Sequence, residues 1–136
     1  MASVRVFISY DCNKDRTYRK MLETWSLSAD VEFVFGFRQP GLRMKSVSAA
    51  PVMNVTTDQI NSASFLLCVV GSASHKDEWI NWEVKSAFEM GKKVIAVKPD
   101  ISSATPDSLK RADVKWVKQF GSRFIDEAIK SAQRSG

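Results

Sequence analysis

Cysteine and histidine are scarce in this sequence. Its 136 residues include only two cysteines, Cys12 and Cys68, and one histidine, His75. Two cysteines do not make a disulfide framework, and Cys68 lies in an apolar run, where we expect it to act as a small buried hydrophobic residue. Because neither CxxC nor HExxH occurs, we expect no dedicated metal site.

Patterns typical of membrane and nucleic-acid binding are absent as well. No run approaches the ~20 apolar residues of a membrane span, and the N-terminus lacks the charged and apolar regions of a signal peptide. We therefore expect a cytoplasmic protein without a membrane partner. The formal net charge of +5 suits an anionic ligand, but there is no RNP-like aromatic motif and no basic recognition helix, so we expect no nucleic-acid partner.

The residues that are present predict one globular domain, residues 1–136. Hydrophobic residues make up 44% of the chain and charged residues 26%, as in soluble globular proteins. Apolar runs of strand length alternate with segments of helical period, which predicts an α/β fold in which helices cover both faces of a parallel sheet. We expect a flavodoxin-like three-layer sandwich with a five-stranded parallel sheet in the order 2-1-3-4-5.

The boundaries of the elements follow from these runs and from Gly and Pro positions. The predicted helices run from Lys14 to about Ser28, within Ser72–Gly91, and from about Ser122 onward. Between Gly36 and Thr56 we expect an irregular loop, followed by a short helical turn at Thr57–Asn61. Loops of about 20 residues are unusual in compact domains and are often lids or binding loops. The predicted strands are Val4–Tyr10, Val31–Phe35, Phe65–Val70, Val94–Val97 and Val114–Val117.

The helix predicted within Ser72–Gly91 carries a carboxylate on its apolar side. Glu83 lies inside a stripe of helical spacing that comprises Trp79, Ile80, Val84, Ala87 and Met90. An ionised carboxylate is expensive to bury, so a glutamate at such a position usually has a partner, lines a cleft or does chemistry. We expect Glu83 to line a cleft. The alternative is a structural glutamate near a helix N-terminus that pairs with Lys76 or Lys85.

The expected fold locates that cleft. In such sheets, ligands bind beyond the carboxyl ends of the strands, at the switch between strands 1 and 3. The end of strand 1, the loop after strand 2 and the segment Ser72–Glu83 all meet there. Two common proteins of this fold are excluded by residue type: a receiver domain needs an aspartate where Gly71 and Ser72 stand, and a flavodoxin needs a hydroxyl-rich phosphate loop where DCNKD stands. GxGxxG and GxxxxGK[ST] are also absent.

Three segments resemble a known family. The opening VFISYDCNKDR, the pattern Ser72–Ala87 and the close KKVIAV are similar to the TIR domain superfamily, and most similar to the TIR-like branch found in bacterial anti-phage systems of the Thoeris type. The resemblance covers Val4–Val97 and implies a TIR-like fold. WINWE stands where TIR domains carry an aromatic or cysteine pair followed by glutamate, so the resemblance implies that Glu83 is the catalytic residue of an NAD-cleaving enzyme. The loop signature of adaptor TIR domains is not clear here, which weakens an adaptor role.

The resemblance and the expected topology together suggest a set of NAD-contacting residues. Phe7 and Ser9 resemble pocket-lining positions of the first TIR strand, although side chains on a buried strand are usually core. Asp11 and Ser72 are explained equally well by capping. Loop cations such as Arg38 can neutralise a pyrophosphate or simply face water. The full expected set around Glu83 is Phe7, Ser9, Tyr10, Asp11, Arg38, Ser72, His75 and Trp79.

The implied reaction requires no cofactor and takes NAD as its substrate. One carboxylate beside the ribose can stabilise an oxocarbenium-like state, and the cationic leaving group needs no general acid. Water would capture the intermediate to give ADP-ribose, whereas an adenine nitrogen would give a cyclic ADP-ribose-type signal for a partner effector. Two alternatives remain open: glycosyl transfer of the nucleoside deoxyribosyltransferase type, and a non-catalytic interaction module. A homo-oligomer is compatible with each.

Overall fold

The structure is a computed structural model that describes residues 4–26, 30–36 and 38–134. Within these residues, short 3₁₀ turns lie at Ser74–Lys76 and Asp107–Leu109. The strands are β1 (Val4–Ser9), β2 (Val31–Phe35), β3 (Phe65–Val69), β4 (Lys93–Val97) and β5 (Lys115–Trp116). The α-helices are α1 (Arg16–Ser26), α2 (Ala49–Ser62), α3 (Glu78–Glu89) and α4 (Ser122–Arg134).

The strands form one parallel sheet in the order β2-β1-β3-β4-β5, which confirms the predicted order. β1 and β3 are neighbours, with Ser9 opposite Cys68. Their carboxyl ends are therefore level. The chain then leaves β1 for one face of the sheet and β3 for the other, so a crevice opens between these two strands.

Alternation along β1 separates two hydrophobic layers. Val6 and Ile8 belong to a cluster with Leu22 of α1 and with residues of α4. Phe7 belongs to a second cluster with Ile60 of α2 and Ile80 of α3. Successive side chains of a strand point to opposite faces, so one strand supplies both clusters. The expected three-layer sandwich is confirmed.

The prediction of an irregular loop as far as Thr56 is wrong, because α2 already begins at Ala49 and ends at Ser62. Pro51 suggested a loop, but it occupies the first turn of the helix, where the missing N–H is not needed. Thr56 and Ile60 are buried on one face of the helix, together with Ala49. The irregular connection therefore ends at Ser48, directly before α2.

Helix and strand ends differ from the predictions in smaller ways. The predicted end of the first helix near Ser28 lies outside the described residues. The segment predicted as one helix within Ser72–Gly91 is divided by Asp77, whose carboxylate caps α3 by accepting the backbone N–H groups of Trp79 at 2.9 Å and Ile80 at 3.3 Å. β5 is an exposed edge strand of two residues.

In the described part of the chain, no helix has the length and apolar character needed to span a membrane.

Candidate functional site

Glu83 lies in the middle of α3 and is completely buried. Helical spacing places it on the face of α3 that packs against the sheet, as the sequence predicted, together with Trp79, Ile80 and Val84. Its carboxylate lies beside Gly36, at the end of β2: a Cβ atom added there would lie 3.5 Å from Oε2 of Glu83 and 3.3 Å from the ring of Phe7. The backbone of Gly36 thus packs closely against the Phe7 ring and borders the carboxylate.

Ser9 holds one oxygen of this carboxylate. Its hydroxyl donates a hydrogen bond of 2.6 Å to Oε1 of Glu83, and both residues are fully buried. Ser9 is the last residue of β1, and it shares the α3 side of the sheet with Phe7. A short hydrogen bond to a charged acceptor fixes the carboxylate in one orientation.

Arg38, from the connection after β2, covers the other oxygen. Its Nε lies 3.2 Å from Oε2 of Glu83, and both side chains are almost inaccessible to solvent. Neither of these two atoms has a hydrogen-bond partner, so the contact is an attraction of opposite charges without good hydrogen-bond geometry. The guanidinium is also tied to Tyr10, because Nη2 donates to the Tyr10 carbonyl and the guanidinium lies 5.6 Å from the centre of the Tyr10 ring.

Burial raises the pKa of Glu83 to about 7, although Arg38 and the Ser9 hydrogen bond both act to lower it. The folded protein therefore holds this proton more tightly than the unfolded chain does. It follows that the protonated carboxyl contributes stability that is complete below the ordinary pKa of 4.5 and is lost as the pH rises through about 7. Near neutral pH the carboxyl is thus poised between its two charge states.

A cavity of about 410 Å³, which we call the front cavity, opens on the far side of Arg38. This size is within the range of small-molecule sites, roughly 300–1,000 Å³. Trp79 forms one wall, and its Nε1 donates a 2.7 Å hydrogen bond to the carbonyl of Leu42, which ties the loop to α3. The front cavity is lined by Asp11, Cys12, Asn13, residues 38–43, Ala73, Lys76, Asp77, Glu78 and Trp79.

Glu83 does not line the front cavity, which differs from the expectation that it faces a cleft directly. Arg38 lines the cavity and contacts Glu83, so its side chain stands between the two. The alternative pairing with Lys76 or Lys85 is not found either, because the cation that meets Glu83 comes from the loop. Sequence spacing within α3 gave no signal for that long-range contact.

The other residues expected around Glu83 are divided between the site and its surroundings. Asp11 lines the front cavity, but its Oδ1 also accepts the backbone N–H groups of Asn13 and Lys14, so it shapes the turn after β1. Phe7 is fully buried in the hydrophobic core and reaches none of the described cavities. Tyr10 points to the α1 side of the sheet, where its hydroxyl accepts a hydrogen bond of 2.9 Å from Arg19.

Two expected residues are not brought to the front cavity. His75 lies in the 3₁₀ turn before α3, half-buried, and lines none of the described cavities. Ser72 is exposed and borders a different cavity of about 380 Å³, the rear cavity, next to Asp15, Gly71 and Asp100. An N-terminal position on the predicted helix suggested Ser72, but Asp77 begins the helix instead.

Asp15 lies in the crevice between the ends of β1 and β3 and packs against the backbone of Gly71. A Cβ atom added to Gly71 would lie only 2.1 Å from Oδ2 of Asp15. The side chain is almost fully buried, and Oδ2 has no hydrogen-bond partner. Burial is the main cause that raises the pKa of Asp15 to about 6, and the carboxylates of Asp11 and Asp77 contribute to the same shift.

We expect Gly71→Ala to destabilise the protein by about 1–3 kcal/mol, because the added methyl group must push the Asp15 carboxylate out of its place. Urea unfolding at pH 7 would measure the loss. The double variant Gly71→Ala, Asp15→Ala removes the obstructing carboxylate and should lose less than the sum of the two single variants. If the two single losses of unfolding free energy add up to the loss in the double variant, the added methyl group and the Asp15 carboxylate do not clash.

Several residues of the front cavity have no place in the predicted set. Asp77 combines two roles, since it caps α3 and lines the cavity, and an aspartate directly before the apolar period is a recognisable helix start. Cys12 and Leu42 line the cavity from two different loops. Nothing in their local sequence distinguishes them from other loop residues, since only the folded loops bring them together.

Comparisons with known proteins agree with this architecture. The chain is similar in structure to a conserved protein from Enterococcus faecalis V583, with a TM-score of 0.62 and 12% sequence identity, over 96% of this chain and 99% of that one. It is also similar to a 2-desoxiribosyltransferase from Leishmania mexicana, with a TM-score of 0.54 and 14% identity, over 83% and 82% of the two chains. At such identities these likenesses show the fold alone. No curated protein matches the chain in sequence.

A family model identifies the branch of the fold. The model of the Thoeris protein ThsB, TIR-like domain, matches residues 7–104, which include the end of β1, the Arg38 loop, α3 and Glu83. The match extends over more than half of the chain and covers Ser9, Arg38 and Glu83. The chain therefore belongs to the ThsB family of TIR-like domains, and its role is that of the Thoeris anti-phage family.

Proposed function

We propose that this protein is an enzyme that cleaves NAD at the nicotinamide glycosidic bond and produces a cyclic ADP-ribose-type signal for a partner effector. The observation that carries the proposal is the buried carboxylate of Glu83, held by Ser9 and separated only by Arg38 from a cavity of ligand size. Buried carboxyl groups with a raised pKa and a specific charge partner are concentrated at functional sites.

The chemistry requires one oriented carboxylate. When the bond between C1′ of the ribose and the nicotinamide nitrogen breaks, its electron pair passes to the ring nitrogen, and positive charge develops on the sugar. Ser9 fixes Oε1 of Glu83, which leaves Oε2 to face that charge once Arg38 has moved. A preorganised charge in a site from which water is excluded stabilises such a state more than it would in water.

The described conformation is closed. Because the guanidinium of Arg38 lies against Oε2, a ribose cannot reach the carboxylate until the loop residues 38–43 shift. Closure around a bound nucleotide would also exclude water. The wall formed by Trp79 supports this, since an aromatic side chain offers a stacking surface and little hydrogen bonding. Exclusion of water favours capture by the adenine over hydrolysis, which is why we propose a cyclic product.

A second candidate is transfer of a deoxyribosyl group between bases. It is favoured by the structural likeness to the Leishmania mexicana 2-desoxiribosyltransferase and by the same buried glutamate, which would then bond to C1′ of the sugar. Its substrates are deoxynucleosides in place of NAD. An assay that offers NAD and deoxynucleosides separately therefore distinguishes the two candidates.

The proposed function can be tested by incubating the purified protein with NAD and, separately, with pairs of deoxynucleosides and free bases, followed by mass spectrometry. Signalling proteins of this kind can be inactive until infection, so the same analysis is made on extracts of phage-infected cells that express the protein. We expect NAD to fall and a product with the mass of NAD minus nicotinamide to appear. Exchange of bases between deoxynucleosides, without loss of NAD, would favour the second candidate.

Phage protection distinguishes both enzymes from an interaction module. Cells that express the Glu83→Gln variant should lose protection, whereas cells with Glu89→Gln, an exposed glutamate on the same helix, should keep it. Both variants must be present at equal amounts. Equal protection by wild type and Glu83→Gln would exclude the catalytic proposals and favour a protein that acts through assembly, including homo-oligomers.

A further inference from the structure

Arg38 forms a partition between Glu83 and two cavities. It lines the front cavity and also a neighbouring one of about 390 Å³, the side cavity, which is bordered by Tyr10, Arg19 and Glu23. A loop arginine that is 93% buried is unusual, because this side chain is rarely buried unless it is paired. Its pairing is with Glu83, at 3.2 Å.

This pairing is built so that it can be exchanged. The contact uses only Oε2 of Glu83 and lacks hydrogen-bond geometry, whereas Ser9 holds Oε1 independently. Both cavities border Arg38, and the front cavity offers the carboxylate of Asp77 to a displaced cation, whereas Glu23 of the side cavity is already paired with Arg19 at 2.8 Å. The backbone of β1, α3 and Ser9 need not move for Arg38 to leave.

We propose that Arg38 stands in for the cationic ring of the substrate: in the ligand-free protein its guanidinium occupies the place beside Glu83 that an N-ribosyl pyridinium takes on binding. Binding is then an exchange of one cation for another. The inference rests on the proposed function and names the feature of the substrate that the site selects, which is a fixed positive charge. Glu83 thus selects the positive charge, and Arg38 competes with the ligand for its carboxylate.

The physical reason is the charge of the buried carboxylate. A neutral ligand that displaced Arg38 would leave the buried carboxylate of Glu83 without a cation, so the carboxylate would have to take up a proton, which weakens binding about tenfold at pH 8. A pyridinium restores the pairing. When the glycosidic bond breaks, the electron pair passes to the ring nitrogen, nicotinamide becomes neutral, and the positive charge moves to the ribosyl group until a nucleophile captures it and loses a proton. Neutral nicotinamide no longer competes with Arg38, so the guanidinium can return.

The same exchange predicts discrimination between the two redox forms of NAD. Oxidised NAD carries a cationic pyridinium ring, whereas the dihydropyridine ring of NADH is neutral. A displaced guanidinium also becomes free to meet the pyrophosphate, which is the contact expected for Arg38 from the sequence. One residue would therefore serve two partners in turn.

The test uses ligands that cannot react. Binding of 1-methylnicotinamide, which is cationic, and of nicotinamide, which is neutral, is measured by calorimetry at pH 8 for wild type, Arg38→Gln, Arg38→Lys and Glu83→Gln. We expect Arg38→Gln to bind the cation about tenfold more tightly than wild type, because the competing guanidinium is gone, and we expect wild type to bind the cation at least tenfold more tightly than nicotinamide. Arg38→Lys keeps a competing cation and should resemble wild type. Glu83→Gln should lose the preference for the cation.

A second measurement on the unaltered protein covers the case in which Arg38→Gln does not fold. The Nε–H signal of Arg38, observed by NMR in arginine-labelled protein, should move when 1-methylnicotinamide saturates the site and stay in place with nicotinamide. An unmoved signal at saturation, or an Arg38→Gln variant that binds the cation no more tightly, would overturn the exchange. Neither measurement involves turnover. Failure to consume NAD with the exchange intact would overturn only the proposed function, and NAD cleavage without the exchange would overturn only this inference.

Discussion

Replacing Glu83 with glutamine is expected to lower the rate of NAD cleavage by a factor on the order of 10²–10⁴, the range found when a single charged or hydrogen-bonding group that acts on a transition state is removed. Glutamine keeps the shape and can still accept a hydrogen bond from Ser9, which donates at 2.6 Å in the wild type. It lacks the negative charge that, in the proposed reaction, faces the ribosyl cation. Single-turnover kinetics with NAD would measure the loss in the chemical step.

The control for this prediction lies on the same helix. Glu89 is exposed and lines none of the described cavities, so Glu89→Gln should leave the rate within about twofold of wild type, as surface substitutions usually do. Circular dichroism of both variants should match wild type. A Glu83→Gln enzyme as fast as Glu89→Gln would remove the carboxylate from the mechanism.

Replacing Arg38 with methionine is expected to lower the free energy of unfolding at pH 8 by about 1–1.5 kcal/mol more than at pH 5, because the ionised carboxylate of Glu83 loses its cation and must take up a proton. Its dependence on pH is the informative part. Since the pKa of Glu83 is raised to about 7, the folded protein at pH 5 already holds the carboxyl in its neutral form. There the substitution should lower the free energy of unfolding by less than about 1 kcal/mol.

Denaturant unfolding at the two pH values would make the comparison, with two further variants. Arg43→Met removes an exposed arginine of the same loop and should have little effect at either pH. The double variant Arg38→Met, Glu83→Gln removes both charges and should recover most of the stability lost at pH 8. An equal loss at pH 5 and pH 8 would mean that packing of the Arg38 side chain, rather than its charge, supports the fold.

The fold was readable from the sequence because it depends on local patterns. Runs such as FLLCVV are too short for a helix and too apolar for an exposed strand, and their alternation with helical periods leaves few topologies. The start of α2 was not predicted because a proline usually indicates a loop. Pro51 is compatible with a helix only because it lies in the first turn of α2, which the sequence alone does not show. The helix start at Asp77 was recognisable in principle.

The candidate site was readable only in part. Glu83 stands out because a charged residue breaks an apolar stripe, and that signal lies within one helix. Its contacts with Ser9 and Arg38 span 74 and 45 positions of the chain, and periodicity carries no information over such distances. The loop that carries Arg38 has no regular structure. Its path along the front cavity therefore depends on tertiary contacts such as the hydrogen bond that Trp79 donates to the carbonyl of Leu42.

Burial of Glu83 has one more consequence, for the balance of hydrogen ions. A carboxyl that is half-neutral near pH 7 must ionise fully before it can face a permanent positive charge. Binding of a cation near pH 7 should therefore release, on average, a fraction of one hydrogen ion per protein molecule. Acid then competes with the cation, so the apparent affinity for the cation falls by up to about tenfold for each pH unit below the pKa of Glu83. Acidification would thus weaken cation binding at the site, and mild alkalinity would strengthen it.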